Sequence, residues 1–132
     1  MNKVQRSEII DYVTYEEGRD AERQRMMAIK APRRIHVGEH LTFLFENTDT
    51  IRYQVQEMIR AERIVREKDI QHELDTYNDL LGDDGELACC LLIEVDDKAE
   101  RDVKLRQWLG LQANVYAKLP NGKKVLATYD QR

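Results

Sequence analysis

Apolar residues recur along this chain with two different periods, and each period predicts a different kind of element. Between residues 50 and 67 they recur every three or four positions, as on the inner face of an amphipathic helix. Between residues 35 and 46 they alternate with polar residues, as in a strand with one covered face. Residues 86–95 are apolar on both parities, which is typical of a central strand covered on both faces.

The N-terminal part of the chain is predicted to form one long helix, from about residue 14 to residue 31. Thr14 and Glu17 have the spacing of a capping box, and Pro32 marks the end of the helix. Apolar positions within it are sparse. We therefore expect this helix to lie across the surface or against a partner chain.

Residues 35–46 allow two interpretations. The alternation favours a strand, with a bend or bulge at Gly38-Glu39. A helical face through Leu41, Leu44, Phe45 and Thr48 would instead merge the segment with the helix that follows.

Two more helices are predicted in the middle of the chain. The first, about residues 50–67, follows the capping sequence Asn-Thr-Asp-Thr at 47–50. The second begins near Asp69 and ends at Gly-Asp-Asp-Gly, residues 82–85.

The C-terminal part is predicted to contain a helix and a β-hairpin. Asp96 or Asp97 caps the helix, which reaches Leu109. Pro-Asn-Gly at 120–122 is a turn sequence between two short strands.

Together these elements predict an α+β fold in a single globular domain, residues 1–132. The order is α-β-α-α-β-α-β-β. We expect a roughly four-stranded mixed or antiparallel sheet with residues 86–95 in its centre and the helices packed on it.

Composition supports one folded domain and indicates the cellular compartment in which the protein is expected. The 132 residues are 42% hydrophobic and 35% charged, which suffices for one core with a well-solvated surface. The longest apolar run, residues 87–93, is too short to span a membrane, and the N-terminus lacks the apolar core of a secretory signal. We expect a cytoplasmic protein without membrane association.

Charge is unevenly distributed. Residues 1–68 carry 13 basic and 12 acidic side chains, whereas residues 69–132 carry 8 and 13, and the total formal charge is -4. The densest basic patch is interrupted by acidic residues, so nucleic acid is not expected as a partner. That patch comprises Arg19, Arg23, Arg25, Lys30, Arg33 and Arg34.

The two cysteines, Cys89 and Cys90, are adjacent within the apolar run. In a strand, neighbouring side chains point to opposite faces, so the two sulfurs cannot readily meet at one metal ion. We expect both thiols to be reduced, buried and free of metal.

The stretch RYQVQEMIRAER, residues 52–63, is rich in groups that could hold a ligand. On a helical wheel most of them, including Gln56, lie on the solvent side, but Glu62 projects near the centre of the apolar face. A carboxylate there needs a partner, for which Arg33, Arg34 or a histidine is available. The alternative is a polar pocket where Glu62, Gln54 and Glu46 meet a ligand or metal.

No nucleotide-binding, metalloprotease or hydrolase motif is present, so no catalytic residue and no cofactor is assigned. His36 and His40 with Glu46 could form a metal site if the chain bends at Gly38, but a solvent-facing strand explains the histidines equally well, and we assign no metal. Candidate ligand-binding residues near the start of the helix after residue 47 are Glu46, Asn47, Gln54, Glu57, Arg60 and Glu62.

Three segments resemble a bacterial family known as domain of unknown function 3501: RRIHVGEHLTFLFEN at 33–47, TIRYQVQEMIRAERI at 50–64 and ELDTYNDLL at 73–81. The FEN, Q-x-Q-E-M and YN elements carry the resemblance. It implies no established activity. Genes of the family often stand near those for a rubrerythrin and an iron-sulfur protein, which implies a role beside redox or oxidative-stress proteins.

Two functions remain open at this point. The first is a non-enzymatic accessory protein that binds a redox partner, rubrerythrin-like or iron-sulfur, through the first helix and the basic patch. The second is a small-molecule- or metal-binding enzyme that uses the candidate residues. Assembly into a homo-oligomer is compatible with either.

Overall fold

The chain forms two compact units in the computed structural model, which describes residues 2–130. The first extends to Glu94 and the second begins at Val95. The described part of the first contains three α-helices and a three-stranded sheet, and that of the second contains one α-helix and a two-stranded sheet. The α+β class is confirmed, and a single domain over residues 1–132 stays a prediction.

Helix α1, Tyr12–Lys30, begins earlier than the sequence predicts. Asp11 caps it by accepting hydrogen bonds from the backbone N–H of Thr14 at 3.0 Å and from the Thr14 hydroxyl at 2.6 Å. Thr14 therefore belongs to the first turn, because aspartate is at least as good an N-cap as threonine. Only Tyr15 and Met26 of this helix are buried, as expected for a largely exposed helix.

The segment predicted as one bent strand is a hairpin of two strands, β1 (Arg34–Val37) and β2 (Leu41–Phe45). Gly38 turns the chain with a φ of 65°, a conformation that glycine adopts without strain. Ile35 pairs with Phe43, so the alternation of apolar side chains is kept across the turn. The strand interpretation was right, and the helical alternative was wrong.

Helices α2 (Thr48–Glu62) and α3 (Glu67–Asn78) follow. Helix α2 ends before residue 67 because Arg63 adopts the left-handed conformation and the Ile64 N–H returns to the Ile59 carbonyl at 3.0 Å. This backbone arrangement satisfies the last carbonyl groups without a glycine.

Strand β3, Cys89–Ile93, lies at an edge of the sheet and not at its centre. Among the described residues it pairs only with β2, in the order β1-β2-β3. The central position predicted for residues 86–95 was therefore wrong. A run that is apolar on both parities indicates strand structure, but the hairpin of β1 and β2 decides which strand is central.

The main hydrophobic core of the first unit lies between the helices and the N-terminal segment, which comprises residues 2–11 before α1. Strand residues do not belong to this cluster, although β3 is the most apolar stretch of the chain. Two members, Val4 and Ile9, precede α1. The buried cluster is Val4, Ile9, Ile51, Val55, Ile59, Ile70, Leu74 and Leu81.

The second unit contains helix α4 (Lys98–Gln107) and strands β4 (Tyr116–Lys118) and β5 (Lys124–Leu126). The Asp97 side chain caps α4, and β4 and β5 form the predicted hairpin. Within residues 2–130, no helix combines the length and the apolar character that crossing a membrane requires.

Candidate functional site

Glu57 is the centre of a polar network between α1 and α2. Its carboxylate accepts hydrogen bonds from the Tyr15 hydroxyl at 2.9 Å and from Arg19, whose Nε lies at 3.0 Å and Nη2 at 2.8 Å. Arg60, one turn along α2, approaches it with Nε at 3.3 Å. The two side-chain nitrogens of Arg19 give the pair a bidentate geometry, which is the strong form of this interaction.

These contacts hold Glu57 in its ionised form. Hydrogen bonds from Arg19 lower the pKa of Glu57 to about 2, against an opposing effect of burial. Burial and the bond to Glu57 raise the pKa of Tyr15 above its usual value. An ionised carboxylate with this many donors has little capacity left for a ligand, and its bonds to Tyr15 and Arg19 join α1 to α2.

Glu46 and Asn47 are committed to the N-terminus of α2. The Asn47 side chain accepts from the Thr50 N–H at 2.8 Å, and the Thr50 hydroxyl accepts from the Asn47 N–H at 2.9 Å. The Thr50 hydroxyl in turn donates to Glu46. This reciprocal cap uses the Thr50 N–H, one of the donors that could otherwise bind an anion at this helix end.

Gln54 and Glu62 do not join the other candidate residues in a pocket. Gln54 is half-buried, and Glu62 is exposed at the last position of α2. The expected burial of Glu62 against Arg33, Arg34 or a histidine was therefore wrong. Because the helix ends at this residue, the apolar face does not continue past it. Glu62 borders an open depression of about 400 Å³ formed where the chain passes from α2 to α3.

Two buried amide side chains that the sequence did not single out as sites hold the N-terminal segment. Gln56 is only 4% exposed; its Oε1 accepts from the Ile10 N–H at 2.7 Å and its Nε2 donates to the Ile10 carbonyl at 3.0 Å. Asn78 makes the same pair of bonds to the backbone of Val4, at 2.9 and 3.0 Å. The expectation that Gln56 faces solvent was wrong, because the N-terminal segment covers that side of α2.

The histidines of the first hairpin lie in a polar row with Glu94. His36 Nδ1 is 3.0 Å from the Thr42 hydroxyl, and that hydroxyl is 3.3 Å from the Glu94 carboxylate. His40 Nδ1 contacts the Glu94 carbonyl at 3.0 Å. Glu46, the third member of the conceivable metal site, is bonded to Thr50 instead. Over residues 2–130, histidine, cysteine and acidic side chains form no group of three arranged to hold a metal ion.

The two cysteines differ in exposure. Cys89 is exposed and Cys90 is half-buried, so the predicted burial of both was wrong, and both thiols are free. Partial burial raises the pKa of Cys90, and the nearby Glu46 carboxylate raises it further. A thiol whose pKa is raised is a poor nucleophile at neutral pH.

Part of the predicted basic patch is engaged in contacts within the protein. Arg19 is bound to Glu57, and Arg25 forms an ion pair with Glu22 at 2.8 Å. The Lys30 ammonium lies 5.1 Å from the centre of the Tyr53 ring, as in a cation-π contact. The patch therefore offers less free positive charge to a partner than its sequence indicates.

Comparison with known proteins identifies the family of the chain. The model of the family described as "Protein of unknown function (DUF3501)" matches residues 3–132. The chain belongs to this family. A search of curated proteins found no match.

A solved structure shares the fold of this chain. It is a crystal structure described as a novel protein of unknown function from Burkholderia pseudomallei K96243. The two chains are 34% identical, with a TM-score of 0.89, and the match covers 95% of this chain and 71% of the other. Neither the family nor this neighbour brings an activity with it.

The residues that carry the DUF3501 resemblance are explained by structural contacts. Asn47 caps α2, Gln56 and Asn78 hold the N-terminal segment, and Glu57 joins α1 to α2. Each contact lies within the first unit. These motif residues therefore contribute to the fold of this unit.

Proposed function

We propose that this protein is a non-enzymatic accessory protein that binds a partner protein through residues 95–130 of its second unit, called the docking unit below. The observation that carries the proposal is its small number of buried apolar side chains. Among the described residues of this unit, Val95 is the one buried apolar residue. Eight large apolar side chains are exposed: Val103, Leu105, Leu109, Tyr116, Leu119, Val125, Leu126 and Tyr129.

The local structure of the docking unit supports this reading. Helix α4 has ten residues and buries none of them, and each strand of the hairpin has three residues. Helices of this length and isolated two-stranded hairpins are marginally stable in water. Covering the apolar side chains with a partner would stabilise both elements.

Charge indicates the kind of surface that would bind. Residues 95–130 contain seven basic and five acidic side chains, a formal charge of +2, whereas residues 1–94 carry -7. A partner that combines apolar and acidic groups would complement the docking unit. The proposal thus differs from the sequence-based expectation, which placed the contact on α1 and the basic patch.

The family resemblance suggests that this partner is a redox protein, rubrerythrin-like or iron-sulfur. The alternative of a small-molecule- or metal-binding enzyme lacks a supporting observation, because Glu46, Asn47, Glu57 and Arg60 are engaged in a helix cap and in ion pairs.

Affinity purification from a native lysate at low salt tests the proposal. We expect the tagged full chain to recover a rubrerythrin-like or iron-sulfur protein, identified by mass spectrometry. Leu109→Glu and Leu126→Glu, at side chains 83% and 67% exposed, should fold normally but lose this partner. Added salt should weaken recovery, because charge contributes to the contact.

Val65→Glu is the matched control, since Val65 is 72% exposed in the first unit. It introduces the same charge and should leave recovery unchanged. Recovery of no redox protein, or equal recovery with all three variants, would overturn the proposal.

A further inference from the structure

Within residues 2–130, the backbone groups on the outer edge of β3 have no backbone partner, and their direction follows from the ladder with β2. Glu46 N–H donates to the Ala88 carbonyl and Glu94 N–H donates to the His40 carbonyl. In an antiparallel ladder the hydrogen-bonded pairs alternate, so even-numbered β3 residues bond to β2. The backbone N–H and C=O groups of Cys89, Leu91 and Ile93 therefore point away from the sheet.

The sequence and pairing of β3 lack three features that commonly prevent strands from associating. Exposed edges commonly carry charged residues, proline or a bulge. The sequence of β3, Cys-Cys-Leu-Leu-Ile, has no charge and no proline, and its five residues pair with β2 without a bulge. In contrast β1, the opposite edge, carries Arg34 and His36.

We infer that two copies of this chain associate through β3, antiparallel, around a two-fold axis at Leu91. Leu91 of one copy then lies opposite Leu91 of the other, and Cys89 lies opposite Ile93. These are the residues whose backbone groups face outward, so they form the hydrogen-bonded pairs of the new ladder. The result is one continuous sheet with three strands from each copy.

The pattern of side chains selects this register. It alone overlaps all five β3 residues of one copy with all five of the other, and it places each apolar side chain opposite another. Just outside the strand, Glu94 then faces Ala88. A shift that places Cys90 opposite Cys90 would instead bring Glu94 towards Glu86 of the second copy, where the two carboxylates repel.

A second copy suits this edge because the strand is complementary to itself in the antiparallel direction. A two-fold axis makes the contact isologous, and such a contact closes at two copies. The contact uses only residues of the first unit. It therefore does not rest on the accessory function proposed above.

Sedimentation velocity of the full chain over a range of concentrations tests the association. We expect a concentration-dependent species with the mass of two chains. Leu91→Lys places two ammonium groups together at the axis and should shift the population to single chains. Ile35→Lys is the matched control on the opposite edge strand, 45% exposed, and should associate like the wild type. Thermal melting establishes that both variants are folded.

Disulfide trapping checks the register and does not depend on the folding of Leu91→Lys. In a background carrying Cys89→Ala and Cys90→Ala, Leu91→Cys should give covalently linked pairs under mild oxidation, and Ile35→Cys should not. Single chains at all concentrations, equal loss of association in Leu91→Lys and Ile35→Lys, or equal trapping at both positions would overturn the inference.

Discussion

Individual polar side chains decide how the N-terminal segment is held in the first unit. Arg6 contacts Glu67 at 2.6 Å, and Arg52 contacts Glu8 at 2.6 Å. In addition to these ion pairs, Gln56 bonds to the backbone of Ile10 and Asn78 bonds to the backbone of Val4. The two amides are buried whereas the ion pairs are partly exposed, so the amides should contribute more to stability.

Gln56→Ala should lower the free energy of unfolding by about 1–3 kcal/mol, because it leaves the part-buried N–H and C=O of Ile10 without their protein partners. Glu62→Ala, at the exposed end of the same helix, should change it by no more than about 0.5 kcal/mol. Denaturant melts of the two variants measure both values. Equal effects would show that the amide does not hold the segment.

At the scale of elements, the Glu57 network makes the contact between α1 and α2 dependent on pH. The folded-state pKa of about 2 lies below the ordinary value of 4.5, so the unfolded chain binds the proton more readily. The stabilisation is therefore complete above about pH 4.5 and is lost as the pH falls towards 2.

Between pH 7 and pH 3 this one group should contribute about 2 kcal/mol to the loss of stability. Glu57→Gln should reduce the loss by that amount, as measured by denaturant melts at both pH values. Glu17→Gln, an exposed position on α1, is the control and should keep the wild-type acid dependence. An unchanged loss in Glu57→Gln would contradict the assigned role.

For the whole molecule, the two units should differ in local stability. The first contains a cluster of eight buried apolar residues, whereas the described part of the second buries Val95 alone. Amide hydrogen exchange should therefore be slow in α2 and at least tenfold faster in the β4–β5 hairpin. Protection of the hairpin should rise when the partner is bound. Equal protection of α2 and of the β4–β5 hairpin in the free protein would contradict the expected difference in local stability.

Local sequence patterns predicted most elements of the fold, because they depend on neighbouring residues. The long polar helix, the capping of α2 by Asn47, the strand at residues 89–93 and the C-terminal hairpin could all be read from spacing and turn chemistry. The observed ends of α1 and α2 differ from the predicted ends. Asp11 caps α1, which begins at Tyr12 and not at the predicted start near Thr14, and the left-handed conformation of Arg63 ends α2 before residue 67.

The candidate site was predicted only in part, for a physical reason. Glu57 and Arg60 were predicted as candidate ligand-binding residues. The sequence could not reveal that Arg19 and Tyr15 donate hydrogen bonds to the Glu57 carboxylate. A helical wheel assigns an inner face from one helix alone. It placed Gln56 in solvent because the covering segment is distant in sequence, and it placed Glu62 inside because it assumed that the helix continues beyond this residue.

The sequence by itself determined the family, the α+β class and the identity of most helices and strands. Only the tertiary structure decided that β2 and not β3 is central, that the main core lies among α2, α3 and the N-terminal segment, and that apolar side chains after Val95 remain exposed. These outcomes depend on contacts between residues far apart in the chain, whereas periodicity reports only which side of an element is apolar.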